Sequence, residues 1–481
     1  MTMKRKAALI LAVALMLTAF PLTALSARFD DSAGAAESLK LPLDRLDLIG
    51  DTETVAGVVF AAAVGMDDAQ RNSTAGIDLL TLFAEEAITR AATSMTDGNI
   101  IVIDYDSVEA LQRTAIVAKS AAEEALLGSG ITLRREIRCE VRFKTGTGGT
   151  LSVAVDPSAV EATADSVRVE TPDYAVAFSS EAIKANSTDA LLNMSVSEFS
   201  NAAEPTEASI ENAPAAGRMD AAPFANRTTG AYVITFNKPV SEKIKLSLAP
   251  IDGEPQYQAI FDGKGEAVGG KYNPATNKLD AKISESGAYA VADNPKDFAD
   301  ISLKPAQMQE AITVLASKGI INGKNSTEFD PDSAITRAEI AAIIIRALAR
   351  LDNDADGGFD DVCSEDWFCG AVGSAKRHGI VNGTSGTTFS PQRTIRKDQI
   401  IAIAARVLRA EMKYSDAANM YAILSSYTDA TAIAPWGLAD IALATREGLV
   451  EQRDDGAFDG AAAMTRGDAA VVVYRLYLKL W

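Results

Sequence analysis

Histidine is almost missing from this chain: among 481 residues there is one, His378. A Ser-His-Asp or Cys-His mechanism would have to use that residue, and a multi-histidine metal site is excluded. Cysteine is nearly as sparse. With only Cys139, Cys363 and Cys369, no disulfide framework holds the fold. Positive charge is also short, since 65 Asp and Glu stand against 46 Lys and Arg for a formal charge of −19. That balance argues against a nucleic-acid partner, because neutralising phosphates needs a basic face. Glycine (33) and proline (16) are too few for a collagen-like or proline-rich fibre. What is present is ordinary: 47% apolar residues suffice for proper cores, and 23% charged residues exclude wholesale disorder. At about 150 residues per domain, the length predicts two to four domains.

Residues 1–27 read as a secretory signal. Lys4, Arg5 and Lys6 form a basic start, residues 7–20 an apolar stretch, and residues 21–27 a small-residue cleavage region. The apolar stretch is shorter than the roughly 20 residues of a membrane span, and no later run is apolar enough to be one. The expectation is an exported protein with no membrane span once the signal is removed.

The last third repeats itself. Phe298-Ala299-Asp300, Phe359-Asp360-Asp361 and Tyr427-Thr428-Asp429 each open a segment whose helix-like stretch ends in Gly319, Gly379 or Gly448. Ten residues after each Gly comes Phe329, Phe389 or Phe458, and six later Ile335, Ile395 or Met464 opens ITRAE, IRKDQ or MTRGD. Each unit reads as helix, loop, helix, with Thr336 and Glu339 placed as a capping box. A unit this small cannot bury its apolar stripe alone, so three packing together is the physical solution.

These landmarks resemble the S-layer homology (SLH) family: F-x-D, a Trp near the first helix, the G-I-x-x-G loop, F-x-P and I-T-R-A-E. The resemblance covers residues 297–481, as repeats at 297–351, 359–412 and 427–481. It implies an all-α pseudo-threefold assembly that attaches exported proteins to the cell wall. The implied ligand is a secondary cell-wall polysaccharide, often pyruvylated, or another peptidoglycan-linked polymer, bound between repeats; self-association in a surface layer is a further implication. The polysaccharide-binding positions carried over are Arg337, Lys397 and Arg466, with Asp300, Asp361 and Asp429, and Trp367 and Trp436. The residues themselves agree with that reading. A basic side chain just inside a helix start meets free N–H groups and the dipole, an environment suited to a carboxylate. Trp rings offer flat faces to sugar C–H bonds, although a Trp taken singly is more often a core residue. The copies are not identical: Ala306 stands where a Trp is expected, Arg396-Lys397 replaces Thr-Arg, and Gly460 replaces Pro331 and Pro391.

Between the first two repeats, DNDADG (352–357) imitates the start of a calcium loop, with Asp352, Asp354 and Asp356 as candidate ligands. Its twelfth position is Cys363 rather than Glu, so the simpler reading is an acidic linker and no cofactor. Cys363 and Cys369, six positions apart, are the candidate disulfide, with Cys139 left over.

The middle of the chain is read as an α/β region at 28–130 and a β-sandwich-like module at 131–293. Helical patterning at 75–95 and 107–128 flanks a strand at 100–105, and short alternating runs begin at 131–143. Residues 201–227, rich in Ala, Pro, Glu and Asn, read as a loose insertion. The adjacent pairs Glu85-Glu86 and Glu123-Glu124 read as solvated helix faces. The resulting fold class is multidomain, an α/β segment and β-sandwich-like module followed by an all-α SLH trimer. The expected function is non-catalytic attachment to the wall, displaying an N-terminal structural or interaction module on the cell surface. The alternative is a wall-anchored enzyme acting on polysaccharide through carboxylates in residues 70–293.

Overall fold

Asp104 shows how local chemistry starts the first part of the molecule. Its carboxylate accepts the Ser107 N–H at 2.9 Å, while the Ser107 hydroxyl accepts the Asp104 N–H at 3.0 Å. This reciprocal cap opens α3 (Tyr105–Gly128), which buries Val108, Ala115, Ala118, Ala122 and Leu126 at helical spacing. Before it come α1 (Thr52–Gly65), α2 (Thr74–Ala91) and the short strands β1 (Thr93–Thr96) and β2 (Ile100–Ile103). The computed structural model describes residues 52–67, 70–71, 73–146, 150–163, 165–186, 191–198, 231–273, 276–450 and 453–480. The signal-like residues 1–27 and the insertion 201–227 lie outside them. The chain divides into two compact units, one running to Leu133 and from Ile137 to Ala292, the other comprising Arg134–Glu136 and residues from Asp293.

The first unit is dominated by one sheet. After α3 come β3 (Glu140–Thr145), β4 (Leu151–Val155), the short α4 (Ala159–Ala162), β5 (Ser166–Glu170), β6 (Tyr174–Ser179) and α5 (Ser180–Asn186). Then follow β7 (Leu192–Glu198), β8 (Ala231–Phe236), β9 (Ile244–Leu248), β10 (Gln258–Asp262), β11 (Ala267–Asn273), β12 (Lys278–Ile283) and β13 (Gly287–Asp293). All thirteen strands join in the order β1-β3-β5-β6-β9-β12-β11-β10-β13-β8-β7-β4-β2. The two edge strands, β1 and β2, are separated in the chain only by residues 97–99, so the sheet curls back on itself into a near-closed, barrel-like form.

This corrects the expected sandwich. Alternating burial is the same in two stacked sheets and in one curled sheet, so periodicity could not separate them. The deciding strands, β1 and β2, come from the segment assigned to a separate α/β region. The predicted strand at 131–143 also begins late, at Glu140.

One face of the sheet is apolar. Val141, Phe143, Val167, Val169, Val176, Phe178, Leu246 and Leu248 meet Ile88, Ala115 and Leu126 of the helices in a single core. The opposite face of β3, β5, β9 and β12 is charged and largely buried. There Arg168 binds Glu140 at 2.6 Å, Arg142 binds Glu86 at 2.8 Å and Glu170 at 3.4 Å, and Lys245 lies 3.9 Å from Asp280. Burial alone would raise the Glu140 carboxyl, but Arg168, Lys245 and Arg142 overcome it and hold the group at about 2. Glu86 is therefore not on a solvated helix face, as expected, and Glu85 accepts the Arg138 N–H at 2.9 Å. An arginine two strands away from α2 in the chain is what draws Glu86 inward, and a helical wheel does not contain it.

The second unit has three successive helix pairs along the chain: α6 (Ala306–Ser317) and α7 (Arg337–Ala347), α8 (Cys369–Arg377) and α9 (Lys397–Met412), and, after α10 (Met420–Leu424), α11 (Leu438–Arg446) and α12 (Arg466–Lys479). In space each first helix packs on the second helix of another repeat: α6 on α12, α8 on α7 and α11 on α9. The first helix of each pair stops at a left-handed glycine, with φ of 71° at Gly319, 67° at Gly379 and 70° at Gly448.

Candidate functional site

Each repeat is built around one carboxylate. The residue after the loop phenylalanine has positive φ in all three copies: Asp330 at 64°, Ser390 at 61° and Asp459 at 51°. That turn aims two successive N–H groups the same way, forming a nest for an anion. Asp300 fills the first nest, accepting from Phe329 N at 2.9 Å and Asp330 N at 2.7 Å. Asp361 does so for Phe389 and Ser390 at 2.8 and 2.6 Å, and Asp429 for Phe458 and Asp459 at 2.7 and 2.8 Å. Beneath each nest an aromatic pair packs with centroids 5.4–5.7 Å apart: Phe298–Phe329, Phe359–Phe389 and Tyr427–Phe458.

The repeats then lock in a circle. Ile335 N donates to Met464 O at 3.0 Å, Met464 N to Ile395 O at 3.2 Å, and Ile395 N to Ile335 O at 3.2 Å. Around this ring the first N–H groups of each second helix donate to the preceding loop of another repeat. Arg337 and Ala338 donate to Arg393 O and Pro391 O, Lys397 and Asp398 to Ala462 O and Gly460 O, and Arg466 and Gly467 to Ser333 O and Pro331 O, at 2.9–3.0 Å. The free N–H groups expected at these helix starts are thus already occupied by the protein, a consequence of the circular packing rather than of the local motif.

The basic side chains divide two against one. Arg337 lies over the Phe389 ring, 4.7 Å from its centroid, and donates at 2.8 Å to both Phe389 O and Asn382 O. Arg466 repeats the pattern on Phe329 O and Asn322 O, at 3.2 and 3.0 Å, and adds an ion pair with Glu339 at 2.8 Å. Lys397 has no fork. Its ammonium sits 5.0 Å from the Phe458 centroid, where burial first and then Arg453 lower its affinity for a proton.

At this third junction a groove of about 650 Å³ lies open. Lys397 and Ile401 form one wall, the loop with Arg453 and Asp459 another, and Asp468, Arg475, Pro305 and Met308 complete it. Nothing in the sequence motifs singles out Arg453 or Arg475; only the circular packing, which brings α6 and α12 together, reveals them. The tryptophans stand apart from this groove's lining. Trp367 is 61% exposed and Trp436 52%, each just before the first helix of its repeat, so neither is the core residue a lone Trp usually is.

The acidic linker is held differently from a calcium loop. Asp352 accepts the Asp354 N–H at 3.0 Å and pairs with Arg377 at 2.7 Å, while Asp356 accepts the Gly358 N–H at 2.7 Å. The linker backbone lies directly on α8: a Cβ at Gly370 would sit 2.6 Å from Asn353 O, and one at Gly373 would sit 2.3 Å from Ala355 O. No group of three or more His, Cys, Asp or Glu that could hold a metal ion occurs among the described residues. Cys363 and Cys369 are both free thiols, and His378 ends α8 with its Nδ1 3.3 Å from Arg350 Nη1.

Residues 297–341, 358–401 and 426–470 each match the model of the S-layer homology domain. Among proteins similar to this chain are an amylopullulanase of Thermoanaerobacterium thermosulfurigenes (30% identical over 51% of the chain and 13% of that protein) and the exoglucanase XynX of Acetivibrio thermocellus (29% over 37% and 16%). The surface-layer 125 kDa protein of Lysinibacillus sphaericus is 29% identical over 37% of the chain and 14% of its own length. The chain thus spans less than a fifth of these relatives. Two of the three are carbohydrate-active enzymes. The first alignment covers half of the chain, more than residues 297–481 occupy, so it reaches into the sheet unit. These relatives overturn the expectation of a purely non-catalytic protein. No helix among the described residues is long and apolar enough to cross a membrane. The last third of this chain is a triplet of S-layer homology repeats, and the chain is a secreted cell-surface protein of the SLH-bearing kind.

Proposed function

We propose that the SLH triplet holds the chain on an anionic wall polysaccharide, a pyruvylated secondary cell-wall polymer, while the sheet unit acts on polysaccharide nearby. The observation that carries the attachment is the groove beside Lys397, where a cation without a fixed carbonyl partner faces an opening of about 650 Å³. In this reading Lys397 meets the sugar carboxylate. Trp367 and Trp436 supply exposed stacking faces. Arg337, Arg466, Asp300, Asp361 and Asp429 serve binding by fixing the loops that frame each junction. Self-association in a surface layer would use the same anchored state.

The catalytic part rests on the enzyme relatives and on the carboxylates of the charged sheet face. Glu140 and Glu170 keep 17% and 16% of their side chains exposed there, whereas Asp280 is covered. A glycosidic mechanism needs two such groups flanking one bond. The test is to incubate the intact chain with wall polymer, α-glucan and β-glucan and to measure new reducing ends. Glu140→Gln and Glu170→Gln should each remove the activity while leaving sedimentation with wall sacculi unchanged. Absence of product from every glycan would sink the catalytic half, and failure to sediment would sink the attachment half.

A further inference from the structure

Cys363 and Cys369 bracket the exposed ring of Trp367, and one residue organises all three. Asp366 N donates to Cys363 O at 3.0 Å, its Oδ2 accepts from Cys363 N at 2.8 Å, and its O accepts from Cys369 N at 2.9 Å. The chain therefore turns twice within seven residues, and both cysteines are tied through their main-chain N–H groups to the same aspartate. Cys363 is exposed and Cys369 partly so. Trp367 projects from the turn at 61% exposure, its ring edge-on to that of Phe368, 5.3 Å away at 86°.

We infer that Cys363 and Cys369 are a redox pair whose intramolecular disulfide closes the loop around Trp367 and fixes the orientation of its ring. The structure holds the reduced form. An exported protein meets disulfide oxidants, which are the co-reactant here. The Cys363 thiolate attacks one sulfur of an external disulfide and expels the other as a thiolate. The Cys369 thiolate then attacks the Cys363 sulfur and expels the second external thiolate. Two electrons and two protons leave the protein, and one external disulfide becomes two thiols. The order follows from the surroundings. Partial burial, with Asp356, Asp366, Cys363 and Glu365 nearby, holds the Cys369 thiol above its usual range, so the exposed Cys363 attacks first. Cys139 cannot compete, because burial pushes its thiol up to about 11 and its sulfur lies 3.9 Å from Ala115 O. Pairing is independent of the function proposed above; only its effect on ligand binding through Trp367 rests on that reading.

The test uses the intact chain equilibrated with oxidised glutathione, its remaining thiols alkylated with iodoacetamide, then digested with trypsin without reduction. Both cysteines fall in one peptide, residues 351–376. The expected result is loss of two hydrogens from that peptide with no glutathione attached. In a Trp436→Phe/Trp481→Phe background, which leaves Trp367 as the single tryptophan, oxidation should raise fluorescence anisotropy, and dithiothreitol should return it. Cys363→Ser should abolish both changes. A peptide that accumulates mixed disulfides with glutathione, or keeps two free thiols, overturns the pairing. Ring closure without a change in anisotropy overturns the role assigned to Trp367.

Discussion

Arg466 of the third repeat and Glu339 of the first hold each other at 2.8 Å, with side-chain exposures of only 7% and 15%. The same carboxylate caps the helix start at Thr336, accepting its N–H at 2.9 Å. One glutamate thus begins a helix and fastens the last repeat to the first. Replacing Arg466 by Ala leaves that carboxylate only the more exposed Lys324, 3.2 Å away, as its ion-pair partner, and strips the carbonyls of Phe329 and Asn322 of their donors. The expected loss is about 3 kcal/mol of unfolding free energy, from two carbonyl contacts and one charge-assisted bond. Arg337→Ala, which removes two carbonyl contacts and no ion pair, should cost about 2 kcal/mol. Urea unfolding of both variants decides it, and equal losses would mean the ion pair adds nothing.

Acid should loosen the loops by a definite route. Burial tends to raise Asp300 and Asp429, but the nest N–H groups outweigh it and both carboxyls sit below the usual range. A depressed carboxylate contributes stability that is present above its unfolded pKa and is lost as pH falls through its folded value. The melting temperature should therefore drop as pH falls below about 4. Asp300→Asn/Asp429→Asn should lower it at neutral pH and flatten that decline. A decline of unchanged steepness in the double variant would refute the assignment.

Lys318 works in the opposite direction. It is 3% exposed, and burial pushes its ammonium down to about 7. The unfolded chain then binds more protons than the folded one between about pH 7 and the usual lysine value, so this group makes stability rise with pH across that window. Below it both states are protonated and the full cost of burying the charge remains. Lys318→Met should raise the melting temperature at pH 6 and leave less gain at about pH 10. No change at either pH would show that the ammonium is better solvated than its burial implies.

Lys397 separates stability from binding. Lys397→Arg supplies the fork that Arg337 and Arg466 use and should stabilise the triplet by about 1 kcal/mol by reaching loop carbonyls. The same change ties up the groove's cation, so retention on wall sacculi should fall rather than rise. Lys397→Glu should abolish retention, with helix content by circular dichroism unchanged. Retention that survives both substitutions would move the ligand to another junction.

Much of the second unit was legible because its repeats print the same constraints three times. The glycine and the phenylalanine ten residues later in every copy, and the Thr-Arg start in the first and third, each mark a backbone event that local chemistry enforces. What the repeats hid is who answers whom. Asp300, Asp361 and Asp429 invite a ligand role in the sequence, yet each is taken by a nest some 29 residues on, and only φ at Asp330, Ser390 and Asp459 exposes it. The groove residues Arg453 and Arg475 belong to no motif. In the first unit, β8, β9 and β12 follow from alternation and β2 from its short apolar run, whereas β7 and the edge strand β1 carry too little pattern. The charged face was equally hidden, because the pairing of Glu86 with Arg142 links residues 56 positions apart.

The ring through Ile335, Met464 and Ile395 has a consequence for how such a chain can vary. Each member gives one hydrogen bond and receives one, so the circle has neither a first position nor a vacant one. A two-repeat fragment would leave a donor and an acceptor facing water at its centre, and a fourth repeat would find no place to enter. Copy number is thereby set by the hydrogen bonding itself, and changes in this region are confined to whole sets of three.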